Sequence, residues 1–393
     1  MLLPSFLVTV AALSLLIWLY LAIFHGRYWR ADQRLAAAPR DRGKWPAVIA
    51  VVPARNESAV IGTAIHSLLS QDYPGPLQVV LVDDRSTDGT ARIAREAAAG
   101  LRRANALTIV TGERLAAGWS GKTWALHQGV RAAAQIDPGA AYVLLTDADI
   151  EHDRLDLRRL VAKAEDERCD LVSLMVRLHC EDLVERLLIP AFVYFFQQLY
   201  PFPESNKRGS EVAAAAGGCM LVRRNALDRA GGIESIRGEL IDDCALARRI
   251  KATGPIWIGL AEFTRSIRPY NGVGDVWDMV ARTAYTQLGH SPVRLFWTVV
   301  GLALTYLAPP FTLVAGLVTG AGQVAALGAF AWMIMLTTYV PTLRLYRQPI
   351  ALGLALPAVA ALYTLMTIDS AKRHWQGRGG AWKGRTYSGL ERP

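Results

Sequence analysis

A chain of 393 residues has room for one catalytic domain of about 240 residues plus appended elements, and its 52% hydrophobic content with a mean hydropathy of +0.21 is more than a soluble enzyme needs. The formal charge of +9 would suit nucleic acid, but the basic residues cluster beside apolar segments, where anionic lipid is the more economical partner. The four cysteines (Cys169, Cys180, Cys219, Cys244) show no paired metal spacing and fit a reducing compartment rather than a disulfide framework.

Residues 2–24 carry no charged side chain and match the length a bilayer demands. No basic segment precedes this run and no small-residue cleavage site comes after it, so an uncleaved transmembrane anchor is expected rather than a signal peptide. The basic juxtamembrane linker 25–45, with Arg27, Arg30, Arg34, Arg40, Arg42 and Lys44, places the middle of the chain in the cytoplasm by the positive-inside rule.

From residue 46 to about 290, apolar runs alternate with helical patterns, the signature of an α/β domain with a mostly parallel sheet flanked by helices. A buried strand over 48–52 is expected to end at Pro53, followed by a helix over 57–71. A second strand over 77–82 delivers Asp83 and Asp84 into a helix running to about residue 99, with Ser86, Thr87 or Asp88 as its cap. A third strand covers 107–110, a helix 121–134, and a fourth strand 142–146. Ligands in such sheets sit beyond the carboxyl ends of the strands. Three of those ends emit polar groups: Arg55-Asn56-Glu57 after Pro53, Asp83-Asp84 and Asp147-Ala148-Asp149. Two carboxylates one residue apart at a strand end need a cation or a hydrogen-bonded rim, and they suit Mg²⁺ or Mn²⁺ carrying substrate phosphates. Glu57 reads either as a ligand or as a partner of the helix dipole.

No G-x-G-x-x-G follows the first strand, and Gly121-Lys122-Thr123 lacks the upstream glycine of a P-loop, since position 116 is alanine. Both observations argue against NAD and ATP hydrolysis. Lys122, at a helix start, is placed to reach a diphosphate. Gly217 and Gly218 open another strand where a backbone can approach a ligand. Asp242 and Asp243 open a helix; one can cap it, leaving the other to act as a general base. A polar helix over 275–287 holds Arg282, suited to a diphosphate leaving group or to the membrane edge. Residues 183–201 read as an interfacial or acceptor-facing helix, or as plain core.

Residues 295–343 are again free of charge. With spans at 294–319, 323–343 and 348–368, three C-terminal transmembrane helices are expected, the first kinked at Pro309-Pro310. They would place the basic tail 369–393 (Lys372, Arg373, Arg378, Lys383, Arg385, Arg392) outside, against the charge rule. Either Pro357 marks a re-entrant hairpin or the tail breaks the rule.

Five motifs resemble family 2 glycosyltransferases, in their order: Val51 to Glu57, Val82 to Thr90, Gly121-Lys122 with Ala125-Leu126, Asp147-Ala148-Asp149, and Asp242-Asp243 with Leu246. The resemblance covers about residues 46–290. Within that family, the Gly118 to Trp124 segment, the Arg282 to Leu288 helix and the membrane layout resemble the hopene-associated glycosyltransferases. This implies a GT-A fold and an inverting, metal-dependent transfer of a hexosyl group from a nucleotide-activated sugar. Asp83, Asp84 and Glu57 would contact the nucleoside, Asp149 with Asp147 the metal and diphosphate, and Asp243 would be the base. Processive members carry Gln-x-x-Arg-Trp where this chain reads Met279-Val280-Ala281-Arg282-Thr283, which favours transfer of a single sugar. The expected partners are a UDP-sugar donor, a lipid acceptor and the membrane, with no nucleic acid. The expected setting is the bacterial inner membrane, multi-pass, with the catalytic domain in the cytoplasm.

Overall fold

Residues 48 to 54 explain how the central sheet forms. Val48, Ala50, Val52 and Ala54 join one apolar cluster and Ile49 and Val51 the other, so alternate side chains of one β-branched run are buried on both faces. The strand β1 spans Val48–Ala54 and is followed by β2 (Leu77–Asp83), β3 (Leu107–Thr111), β4 (Tyr142–Thr146), β5 (Ile150–Glu151), β6 (Leu171–Arg177), β7 (Cys219–Arg223) and β8 (Ile256–Ser266). Their order in the sheet is β3-β2-β1-β4-β7-β6-β8-β5. One face is covered by the helices Ile61–Leu69, Thr90–Gly100 and Asp156–Asp166, the other by Gly121–Ile136 and Asp242–Lys251.

This computed structural model describes residues 2–36, 43–379, 381–382 and 385–386; Arg40, Arg42, Lys383 and Arg392 of the basic segments lie outside the described residues. The chain forms two compact units: Asp32–His179 with Glu204–Pro269 and Gly380–Pro393, and Met1–Ala31 with Cys180–Pro203 and Tyr270–Gly379. The sheet belongs to the first.

One feature of the sheet departs from expectation. Strand β1 runs through Pro53, which pairs with Val82, instead of ending there. Its pairing with β4 stops at Val51, so the missing N–H falls where no partner needs it. Most strand pairs of the sheet are parallel, as expected, including β6 with β8, and the antiparallel pairs are those of β7 and β5. Strands β3, β2, β1 and β4 are parallel, but β7 runs antiparallel to both neighbours, with Thr146 opposite Cys219. That reversal brings Gly217 and Gly218, just before β7, to the carboxyl edge of β4.

The second unit contains the apolar helices. Among the described residues, four are long and apolar enough to cross a membrane: Ser5–Ile23, Pro292–Thr319, Gly322–Leu345 and Ile350–Trp375. The expected proline kink falls at a π-helical turn, Ala303–Leu307, just before Pro309 and Pro310. A proline at 309 frees the carbonyl four residues earlier, and Thr305 O accepts the Trp18 indole N–H at 2.6 Å. Pro357 lies in the first turn of the Leu356–Trp375 helix, which continues a 3₁₀ run over Ile350–Ala355, so no hairpin forms there. The expected polar helix over 275–287 is two pieces, Val273–Ala281 and Ala284–Gln287. The Leu183–Leu199 helix starts with a capping box of Asp182 and Glu185.

Candidate active site

Strand β4 ends at a doubly anchored residue. The Thr146 hydroxyl donates to the Gly218 carbonyl at 2.7 Å and lies 2.9 Å from His152 Nε2, while His152 Nδ1 is 3.0 Å from Asp156 Oδ2. His152 and Asp156 are buried. They hold the turn that presents Asp147 and Asp149.

Lys122 closes the first half of the site. It is the second residue of the Gly121–Ile136 helix, whose N-cap Ser120 accepts from Thr123 N. Its Nζ lies 2.9 Å from Asp147 Oδ1 and 3.5 Å from Asp242 Oδ2, an oxygen that is buried without a hydrogen bond. Asp243 begins the same helix as Asp242; its carboxylate accepts from Gly217 N at 2.9 Å and from Cys244 N at 2.7 Å. A Cβ on Gly217 would sit 2.9 Å from Lys122 Nζ and 3.5 Å from Asp243 Oδ2, so a side chain there would fill the space between the Asp243 carboxylate and the Lys122 ammonium. The glycine facing the carboxylates is therefore Gly217. Gly218, expected with Gly217 to let a backbone approach a ligand, faces Val176 and Ile150 and contributes its carbonyl to Thr146.

The electrostatics follow from this crowding. Burial opposes the Lys122 charge, but Asp147 and then Asp242 outweigh it and hold the ammonium well above its usual range. Burial pushes Asp147 up in spite of Lys122, and the Asp149 charge adds to it. Burial, then the charge of Asp242, pushes Asp243 up to about 6.

Arg268 closes the second half. It lies two residues past the end of β8, and its Nε donates to Asp149 Oδ2 at 3.2 Å while its Nη2 donates to Glu57 Oε2. Ser266 Oγ donates to the same Asp149 oxygen at 2.8 Å. Neither Ser266 nor Arg268 was legible from sequence spacing, because the partners lie 117 and 119 residues away.

The remaining expected residues line the β1 and β2 ends. Asp84 is 1% exposed, and Arg55 Nη1 donates to its carbonyl at 2.7 Å and lies 3.6 Å from its carboxylate. Arg55 and Asp84 thus hold each other. Asp83 Oδ1 accepts from Ser86 N at 3.0 Å, and Asp88 accepts from both Thr90 N and Ser58 N. Pro53 lies within β1 itself. Arg282 belongs to the other unit, where it is the C-cap of the Val273–Ala281 helix.

The donor set at Asp147 and Asp149 is all oxygen, and the unbonded Asp242 oxygen shares the Lys122 ammonium with Asp147. That chemistry fits Mg²⁺ or Mn²⁺. His152, Asp156 and Cys219 offer ligand atoms within 4.8 Å of one another and could also hold a metal. Nitrogen and sulfur donors buried inside the fold suit a softer ion than one that carries phosphates.

Residues 49–231 match the model of the family described as Glycosyl transferase family 2. A 107-residue stretch is 36% identical to 4,4'-diaponeurosporenoate glycosyltransferase of Staphylococcus aureus strain bovine RF122 / ET3-1, covering 27% of this chain and 24% of the relative. The same enzyme of strain USA300 is 34% identical over 110 residues, covering 28% of this chain and 26% of the relative. The chain thus spans about a quarter of the length of these curated relatives. Among solved structures, the mannosyltransferase PcManGT from Pyrobaculum calidifontis, in complex with GDP-Man and Mn²⁺, superposes with a TM-score of 0.53 at 21% identity, covering 94% of this chain and 99% of that one. Residues 49–231 of the sheet-bearing unit are therefore similar to glycosyl transferase family 2, and the unit has a GT-A-like fold.

Proposed function

We propose that this chain works as a membrane-anchored, inverting family 2 glycosyltransferase, moving one sugar from a nucleotide-diphosphate donor, a UDP-sugar in the first instance, to a lipid acceptor of hopanoid type. The observation that carries the reading is the meeting of Asp147, Asp242, Asp243 and Lys122 at one strand edge of its sheet. Support for the lipid comes from the four helices long enough to cross a membrane. It also comes from the name of the matched relatives, 4,4'-diaponeurosporenoate glycosyltransferase. The basic residues after the first helix favour a cytoplasmic domain at a bacterial inner membrane.

The acceptor hydroxyl loses its proton to Asp243 as its oxygen bonds to the anomeric carbon. The carbon–oxygen bond to the diphosphate breaks on the opposite side, and the nucleoside diphosphate departs with that electron pair. Lys122 offers its ammonium to the departing phosphate. Asp147 and Asp149 would hold Mg²⁺ or Mn²⁺, which when bound supplies positive charge to the leaving group. Glu57 and Asp83 face the nucleoside in this reading. Asp84, Arg55 and Pro53 shape the loops that carry them. Met279 and Thr283, in place of glutamine and tryptophan, favour a single transfer over polymer synthesis.

A donor screen tests the class. Detergent-purified protein with Mn²⁺ is melted in the presence of UDP- and GDP-sugars, ATP or NAD. The reading expects stabilisation by a nucleotide sugar that EDTA removes. Stabilisation by ATP or NAD alone would reject it.

A further inference from the structure

The carboxylates assigned to metal and nucleoside are already occupied by a cation of the chain itself. Arg268 donates from Nε to Asp149 and from Nη2 to Glu57, so one guanidinium spans the end of β4 and the loop after β1. Glu57 is buried at 6% exposure, whereas the Arg268 side chain is 38% exposed and reachable from solvent. Ser266, also at the end of β8, shares the Asp149 oxygen with it. Lys122 occupies Asp147 and Asp242 in the same manner.

We propose that Arg268 is a resident counter-cation that keeps free divalent metal out of the Asp149 pocket until a nucleotide diphosphate arrives to take over the guanidinium. The inference rests on the donor site proposed above. A planar guanidinium bonds carboxylate and phosphate with the same fork of N–H groups. A divalent ion arriving alone must displace that fork and leave it without an acceptor. A divalent ion arriving with a diphosphate supplies the replacement acceptor, so the exchange conserves the hydrogen bonds of Arg268. Metal and donor then bind as one cooperative event, with a coupling that each ligand feels equally. A passive strut between two loops would show no such coupling.

Electron paramagnetic resonance of free Mn²⁺ reads this directly, on the full chain in detergent and without any turnover. In the native protein, UDP or GDP is expected to tighten Mn²⁺ binding by about tenfold or more over Mn²⁺ alone. Arg268→Gln should bind Mn²⁺ alone about tenfold more tightly than the native protein and lose most of the nucleotide enhancement. Arg268→Lys keeps the charge without the fork; it should still exclude Mn²⁺ alone while showing reduced enhancement. Arg265→Gln removes a neighbouring cation that pairs with Glu151, and it should behave as native. Unchanged affinity for Mn²⁺ alone in Arg268→Gln, with native-like melting, overturns the proposal. A native protein that binds Mn²⁺ with neither nucleotide overturns the donor reading instead.

Discussion

The Asp243 carboxylate accepts the Gly217 amide at 2.9 Å, so the residue assigned as base is aimed by backbone at the strand edge where Asp147 emerges. Burial and then the charge of Asp242 hold its carboxyl up at about 6. The base must be ionised to accept a proton, so kcat/KM should fall as pH drops through about 6 and level off above it. Asp242→Asn removes a charge that raises this pKa, and the acid limb should move to lower pH. Lys122→Met removes one that lowers it, and the limb should move up. A pH profile of transfer that stays fixed in both variants would contradict the assignment.

Asp149 carries its charge at the rim under two donors, Ser266 and Arg268. Asp149→Asn should lower kcat by roughly 10²-fold or more, since the metal that would supply positive charge to the leaving group loses a ligand. EDTA should abolish transfer by the native protein, and Mn²⁺ or Mg²⁺ should restore it. Steady-state transfer assays across a metal titration decide this; full activity in excess EDTA would remove the metal from the account.

The helix that delivers Lys122 is seated by a glycine. A Cβ on Gly129 would lie 2.4 Å from Val51 Cγ1 and 2.9 Å from Val82 Cγ2, both on the buried face of the sheet. Gly129→Ala gains about 1 kcal/mol of helix propensity, but the overpacking of β1 and β2 costs roughly 1–3 kcal/mol or more. The net expectation is a lower melting temperature, read by thermal unfolding in detergent. A higher one would mean the sheet can give way.

In the other unit, Trp18 satisfies the Thr305 carbonyl that the proline pair leaves unbonded. Trp18→Phe keeps an aromatic ring and removes only the donor. It should destabilise the unit by about 0.5–2 kcal/mol, measured by detergent or thermal unfolding. An unchanged melting curve would mean the carbonyl finds another partner.

The legible parts of this molecule are those fixed by neighbours in sequence. Strands β1, β2 and β4 announce themselves as apolar runs, and Asp147-Ala148-Asp149 stands out because a carboxylate pair cannot continue a core strand. The apolar spans are equally local. The features that escaped depend on closure of the whole sheet. Arg268 reaches Asp149 because β5, which starts just after Asp149, pairs antiparallel with the end of β8, Ile150 opposite Ser266, and nothing near residue 268 points there. The direction of β7 was hidden too, since an apolar run reads the same both ways; that direction decides that Gly217 meets Asp243. Asp83 and Asp84 look alike in sequence, yet adjacent strand residues point oppositely. One is therefore buried against Arg55 while the other meets the Ser86 amide.

The most direct test of the central claim is sugar transfer itself. Purified native protein and Asp243→Asn are each given radiolabelled UDP-sugars, Mn²⁺ and a bacterial lipid extract containing hopanoids, and label in the lipid phase is counted. The account predicts single-sugar lipid products with the native protein, and at least about a hundredfold loss in Asp243→Asn with nucleotide binding retained. Equal transfer by the two proteins would contradict it.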